Sequence, residues 1–166
     1  MECITVRAAQ PGDGEALMRI HAEVAQYHVD LGPRDLQLPI PAGSDEEPDA
    51  EVGAKDAPSL RLVAEAEGEV AGALVARLLP PEDGAKRRTA PHLEETRLRI
   101  EYIATAAAIR RRGVGTRLVE AAEAWGRSVG ATIAETSTYH GSPLSVPFWE
   151  ERMGYQEPSV NLRKPL

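Results

Sequence analysis

The stretch Leu98-Arg-Ile-Glu-Tyr-Ile-Ala-Thr-Ala-Ala-Ala-Ile-Arg-Arg-Arg-Gly-Val-Gly-Thr116 decides how the rest of the chain is read. Its first half alternates. Leu98, Ile100, Tyr102 and Ala104 can share one face of a strand, and Arg99, Glu101, Ile103 and Thr105 the other. Three arginines and two glycines follow. Beyond them Val114, Leu118, Ala122, Trp125 and Val129 fall at helical spacing, and Gly130 stands where a helix C-cap is wanted. Ala131-Thr-Ile-Ala-Glu-Thr-Ser137 then reads as a second strand. Strand, helix and strand in this order predict two parallel strands joined by a right-handed crossover.

The turn between the first strand and the helix has a specific chemistry. A helix N-terminus leaves backbone N–H groups without partners and carries about half a unit of positive charge. Gly113 and Gly115 let that backbone come close to an anion and take positive φ. Arg110, Arg111 and Arg112 add formal charge at the same place on an otherwise acidic chain. Together these features predict a phosphate or pyrophosphate site.

Two familiar phosphate loops do not fit. The dinucleotide fingerprint needs a third glycine where Leu118 stands, and no Gly-Lys-Ser/Thr of a P-loop is present. Arg110-x-x-Gly113-x-Gly115 resembles the signature of the GNAT family of N-acetyltransferases, Gln/Arg-x-x-Gly-x-Gly/Ala after a central strand. The resemblance implies a single α/β domain over residues 1–166. Its sheet would be mixed, mostly antiparallel and twisted, with a central parallel strand pair and flanking helices. It also implies that Arg110, Arg111, Arg112, Gly113, Val114, Gly115 and Thr116 hold the pyrophosphate of acetyl-coenzyme A. Ile103, Ala104 and Thr105 would contact pantetheine and the thioester oxygen through their main chain.

The remaining elements fall in the order that this family shows. Ile4 to Ala8 reads as a short strand, Asp13 as an N-cap, and Gly14 to about Asp30 as a helix with Leu17, Ile20, Val24 and Tyr27 on one stripe. Residues 33–58 carry five prolines and the run Asp45-Glu46-Glu47, which argues against regular structure. This loop either covers the acceptor site or is a plain acidic insertion. Leu60 to Glu65 and Glu69 to Arg77 read as a hairpin around Glu67-Gly68. Lys86-Arg87-Arg88 either reaches the 3′-phosphate of coenzyme A or is a solvated loop, and the central strand is expected from near Leu93. Phe148-Trp149-Glu150 and Gly154-Tyr155 match in outline the family's short helix, expected from Pro147, and Val160 and Leu162 alternate in a closing strand.

Acetyl transfer to an amine asks for a base, because free alkylamines are protonated below a pKa of roughly 10. Glu101 on the central strand is the candidate; the other reading pairs it with Arg99 or with an arginine of a neighbouring strand. The departing thiolate can take a proton from an acid. Many family members use a tyrosine four residues before the glycine that ends the short helix, but here that position is Glu150. Tyr139 is the substitute candidate, with His140 beside it. The missing helix tyrosine also keeps open a non-catalytic domain that binds an acyl-coenzyme A as a sensor or interaction module.

Bulk composition narrows the partners. A formal net charge of −7 argues against general nucleic-acid binding and is compatible with a cationic amine. The acceptor is expected to be a small molecule or peptide, and a homodimer is possible. No apolar run reaches the roughly 18 residues of a membrane span. Cys3 is the only cysteine and no signal-peptide layout is seen, so a reducing cytoplasm is the expected setting. The four histidines have no spacing that suggests a metal site.

Overall fold

The hairpin forms where its turn residues predict. Glu67 and Gly68 both take positive φ, 55° and 83°, as a two-residue turn between twisted strands requires. In the computed structural model, which describes residues 3–32, 57–82 and 91–156, this turn joins β2 (Ser59–Ala66) to β3 (Glu69–Leu79). The short strand β1 (Thr5–Ala8) pairs antiparallel with β2, and β4 (Arg97–Thr105) pairs antiparallel with β3. Among the described residues the last strand, β5 (Ile133–Thr136), runs parallel to β4 and completes a five-stranded sheet in sequence order, so the parallel pair stands at one edge of the described sheet. The fold is therefore the mixed α/β sheet that the family resemblance implied. The loop at 33–56, the run Lys86-Arg87-Arg88 and the closing strand at Val160 and Leu162 lie outside the described residues.

Helix α1 (Gly14–Leu31) and helix α2 (Val114–Ser128) cover opposite faces of the sheet. Of the stripe read from the sequence, Val114, Leu118 and Ala122 are buried against Leu62, Leu74, Leu98 and Ile100, with Val119 beside them; Trp125 is only partly buried and Val129 is exposed. Each leucine buried in full stabilises the fold by about 2 kcal/mol. Gly72 and Gly126 let α2 sit close. A Cβ on Gly72 would come within 2.8 Å of the Ala104 carbonyl oxygen and of Val114 Cγ1, and one on Gly126 within 3.0 Å of Leu98. The helix ends as predicted: Gly130 has φ 94° and the Ala131 amide bonds back to the Gly126 carbonyl at 2.9 Å.

Three expectations need correction. Asp13 does not cap α1. Its carboxylate instead accepts the Gln10 amide at 2.7 Å and both terminal nitrogens of Arg7 at 2.8 Å, which ties β1 to the 3₁₀ turn before the helix. β4 starts at Arg97 and not near Leu93, because Pro91–Glu94 form a 3₁₀ turn. The short helix begins two residues earlier than expected, at Ser145, and Pro147 sits inside it; it is α-helical over Ser145–Pro147 and π-helical over Phe148–Arg152.

The alternation expected along β4 also fails, and the failure matters. Ladder partners run Val75 to Tyr102 and then Ala76 to Ile100, so Glu101 is an inserted residue, a β-bulge. Before the bulge Leu98 and Ile100 pack under α2; after it Ile103 does, while the Tyr102 ring lies 6.2 Å from that of His21 on α1. Period two thus holds on either side of Glu101 and slips by one residue across it.

Candidate functional site

The site grows from the two edges of β4. Its β3 edge is laddered to Thr105. Its β5 edge is paired only from Arg97 to Ile100, where the Thr136 hydroxyl donates to the Ile100 carbonyl at 3.0 Å. Beyond that point the parallel strands part. Glu101 to Thr105 keep an edge without a strand partner among the described residues, and its backbone groups can take an extended, amide-bearing ligand as an added strand.

The turn after β4 faces the same opening. Ala107 donates its amide to the Glu23 carboxylate of α1 at 2.6 Å, which fixes the start of the turn. Arg111 and Gly113 then both adopt positive φ, 64° and 94°. For Arg111 this conformation costs roughly 1 kcal/mol, a strain of the kind that clusters at functional sites. Gly113 is the N-cap of α2 and brings no capping side chain. The first backbone acceptor bond of that turn joins Arg117 to the Gly113 carbonyl at 3.0 Å. The amides of Val114, Gly115 and Thr116 therefore remain donors in search of an acceptor.

Edge and turn line one cavity of about 660 Å³, within the range of small-molecule sites. Nine of the ten predicted binding residues are on its wall: Ile103, Ala104, Thr105, Arg110, Arg111, Gly113, Val114, Gly115 and Thr116. Arg112 is not, and its guanidinium lies 3.8 Å from the Glu67 carboxylate. Gly115 has a role the sequence did not reveal. A Cβ there would meet the Phe148 ring at 3.3 Å, so this glycine seats the short helix against the turn as well as sparing room for a ligand. The wall carries Arg110, Arg111 and Arg152 and, among the described residues, no Asp or Glu. On a chain with formal net charge −7 that separation selects for an anion.

The two predicted catalytic residues lie elsewhere. Glu101 is off the cavity wall and its Oε1 accepts from Arg77 Nε at 2.7 Å, so the pairing with a neighbouring strand's arginine is realised. Tyr139 is also off the wall, and its ring folds over Gly141, where a Cβ would lie 2.9 Å from it. On the α1 side of the sheet His21 has a buried Nδ1 with no partner, and burial pushes its pKa down. Burial likewise raises the Tyr102 hydroxyl to about 12. Both shifts favour the neutral form.

Sequence reasoning missed the α1 and short-helix walls. Val24, Tyr27 and His28 line the cavity, as do Ser145, Phe148 and Trp149. The α1 stripe was legible, but it runs from Ile20 in the core to Tyr27 at the cavity, and spacing alone cannot tell where a stripe leaves the core. His28 uses Nδ1 to donate to the Val24 carbonyl at 2.9 Å, leaving Nε2 as an acceptor. Tyr27 and Ser142 hydroxyls are 2.9 Å apart, and Ser142 is only 2% exposed.

Residues 21–155 match the acetyltransferase (GNAT) family, most of the chain. The chain belongs to the GNAT acetyltransferase family. Solved structures share its fold. A mutant of a Bacillus halodurans protein has 18% identity and a TM-score of 0.74, over 98% of this chain and 99% of that one. An aminoglycoside acetyltransferase from an uncultured soil metagenomic sample has 22% identity and a TM-score of 0.61, over 99% of both chains. A Trypanosoma brucei acetyltransferase has 14% identity and a TM-score of 0.59, over 99% of this chain and 100% of that one. At such identities the likeness is one of fold. No curated protein matches the sequence. GNAT membership makes this chain an acetyltransferase-type transferase, and the free edge of β4 and the start of α2 line its cavity.

Proposed function

We propose that the protein is an N-acetyltransferase that moves the acetyl group of acetyl-coenzyme A directly to a primary amine on a small molecule or peptide. The observation that carries this reading is the cavity wall itself: the free edge of β4 and the first-turn amides of α2 open on one space that, among the described residues, holds three arginines and no carboxylate. A diphosphate fits the amides and the guanidinium groups. A pantetheine arm, with its two amides, fits the free strand edge. Main-chain N–H groups there can stabilise the negative charge that develops on the thioester oxygen.

In this reading Glu101 is the base and works through water, since it is off the wall and already paired with Arg77. Glu101 paired and Tyr139 off the wall also favour a second reading, a domain that binds an acyl-coenzyme A without turnover. Two measurements decide. Calorimetry with coenzyme A should give binding to the wild type and none to Gly113→Glu, whose carboxylate would enter the anion site on a backbone already at φ 94°. Free thiol should appear from acetyl-coenzyme A with spermidine, kanamycin or a tripeptide as acceptor. Equal affinity in the two proteins would remove the site; binding without thiol release would leave the sensor reading.

A further inference from the structure

The missing acid has a replacement in the structure. We propose that Ser145, backed by Ser142 and Tyr27, donates the proton that the departing thiolate takes; the assignment rests on the acetyl-transfer reading above.

The hydrogen bonds define the chain of hydroxyls. The Ser145 amide can only donate, and it donates to Ser142 Oγ at 3.1 Å. Ser142 Oγ in turn donates to Ser145 Oγ at 3.0 Å. One acceptor site then remains on Ser142, and the Tyr27 hydroxyl stands 2.9 Å from it. Ser142 is 2% exposed, so water does not compete for these bonds. The run is Tyr27 to Ser142 to Ser145, and it leaves the hydrogen of Ser145 Oγ unspent. Ser145 is on the cavity wall, as are Tyr27 and the β4 residues Ile103 to Thr105. An anion in the cavity therefore meets a hydroxyl that is already polarised by two others behind it.

Tyr27 suits the far end of the run. A phenol gives up a proton far more readily than an aliphatic alcohol. The Arg110 guanidinium lies over the Tyr27 ring, 5.4 Å from its centroid, and holds that ring by a cation–π contact. The His28 ring is the other polar neighbour, 5.5 Å away edge-on. Arg110 thus has two connected placements: it is on the cavity wall and it packs over the Tyr27 ring.

The step balances. The amine nitrogen forms a bond to the carbonyl carbon, and the carbon–sulfur bond breaks with its electron pair on sulfur. Sulfur takes the Ser145 proton, Ser145 takes that of Ser142, and Ser142 takes that of Tyr27. The proton shed by the amine returns through solvent to the Tyr27 phenolate. The sum is amide and free thiol. Ser145 is the catalytic residue of this scheme; Ser142 and Tyr27 are positioning residues that act through it.

Thiol release and coenzyme A affinity are measured for the wild type, Ser145→Ala, Ser145→Thr, Tyr27→Phe and the Ser145→Ala/Tyr27→Phe double variant, with acetyl-coenzyme A and the acceptors named above. Ser145→Ala is expected to lower kcat about a hundredfold or more, with coenzyme A affinity within about twofold of wild type. Ser145→Thr, which keeps the hydroxyl, restores most of the rate. Tyr27→Phe keeps the ring under Arg110 yet slows the same step, and the double variant is no slower than the worse single one. An unchanged kcat in Ser145→Ala, multiplying losses in the double variant, or a loss confined to coenzyme A affinity would overturn the assignment alone. A wild type that binds coenzyme A and releases no thiol overturns the acetyl-transfer reading, and the donor with it.

Discussion

Replacing Gly72 by alanine tests whether α2 must sit this close to the sheet for the cavity to exist. Gly72 lies on β3 opposite Thr105 of β4. The added methyl would stand 2.8 Å from the Ala104 carbonyl oxygen, 2.8 Å from Val114 Cγ1 and 3.2 Å from Leu118 Cδ1. The carbonyl belongs to a laddered strand and cannot rotate away, so relief must come from lifting the first turn of α2. Overpacking of this kind costs about 1–3 kcal/mol. Loss of a glycine from the unfolded chain returns roughly 0.4–1 kcal/mol. The net cost, about 1–2 kcal/mol, lowers the melting temperature by roughly 3–6 °C for a chain of this size. Because Ala104, Val114 and the amides after it are cavity wall, coenzyme A affinity should fall in the same variant. Thermal melts by circular dichroism and calorimetry with coenzyme A read the two effects. Gly12→Ala is the control, since a Cβ there meets nothing within 4 Å. If Gly72→Ala melts with or above Gly12→Ala and binds coenzyme A as the wild type does, the seating argument is wrong.

Two further outcomes follow from the same geometry. Glu101→Gln should slow thiol release at neutral pH while leaving coenzyme A affinity intact, because Glu101 is off the cavity wall; an unaffected rate removes it as the base. The Arg7 guanidinium holds the Asp13 carboxyl below the usual carboxylate range, against the opposing effect of burial. A depressed folded-state pKa contributes stability that is present above the unfolded value, near 3.9, and lost as pH falls through the folded one. Asp13→Asn should therefore cost about 2 kcal/mol at pH 7 and flatten the acid limb of a melting-temperature profile below about pH 4; a parallel acid limb in both proteins would refute it.

The hairpin, the crossover helix and nine wall residues were legible because each rests on a local signal. Helical spacing from Val114 onward gave α2 and its apolar face. Glycines beside arginines gave the anion turn. What was not legible depends on pairs far apart in the chain. The Glu101 bulge leaves no mark in the sequence, since apolar residues stand on both faces of β4 and a one-residue slip preserves the look of alternation. Ser142 sits in Gly141-Ser142-Pro143, which reads as a turn. Its hydrogen bond to Tyr27 reaches a residue 115 positions earlier. Gly72 looks like a weak point in a strand and is in fact where β3, β4 and α2 meet.

The bulge and the parted strands have one physical origin. An inserted residue raises the local twist of its strand, and Glu101 is inserted one residue past Ile100, the last residue of β4 that pairs with β5. Up to Ile100 the two strands can stay parallel; beyond it β4 follows β3 and turns away from β5. The Thr136 hydroxyl takes the Ile100 carbonyl at that boundary, so pairing ends without an orphaned acceptor. Arg77 holds the Glu101 side chain from the neighbouring strand, which pins the insertion to one place. The insertion therefore marks where the free edge of β4 begins, at the residue after the last pair with β5.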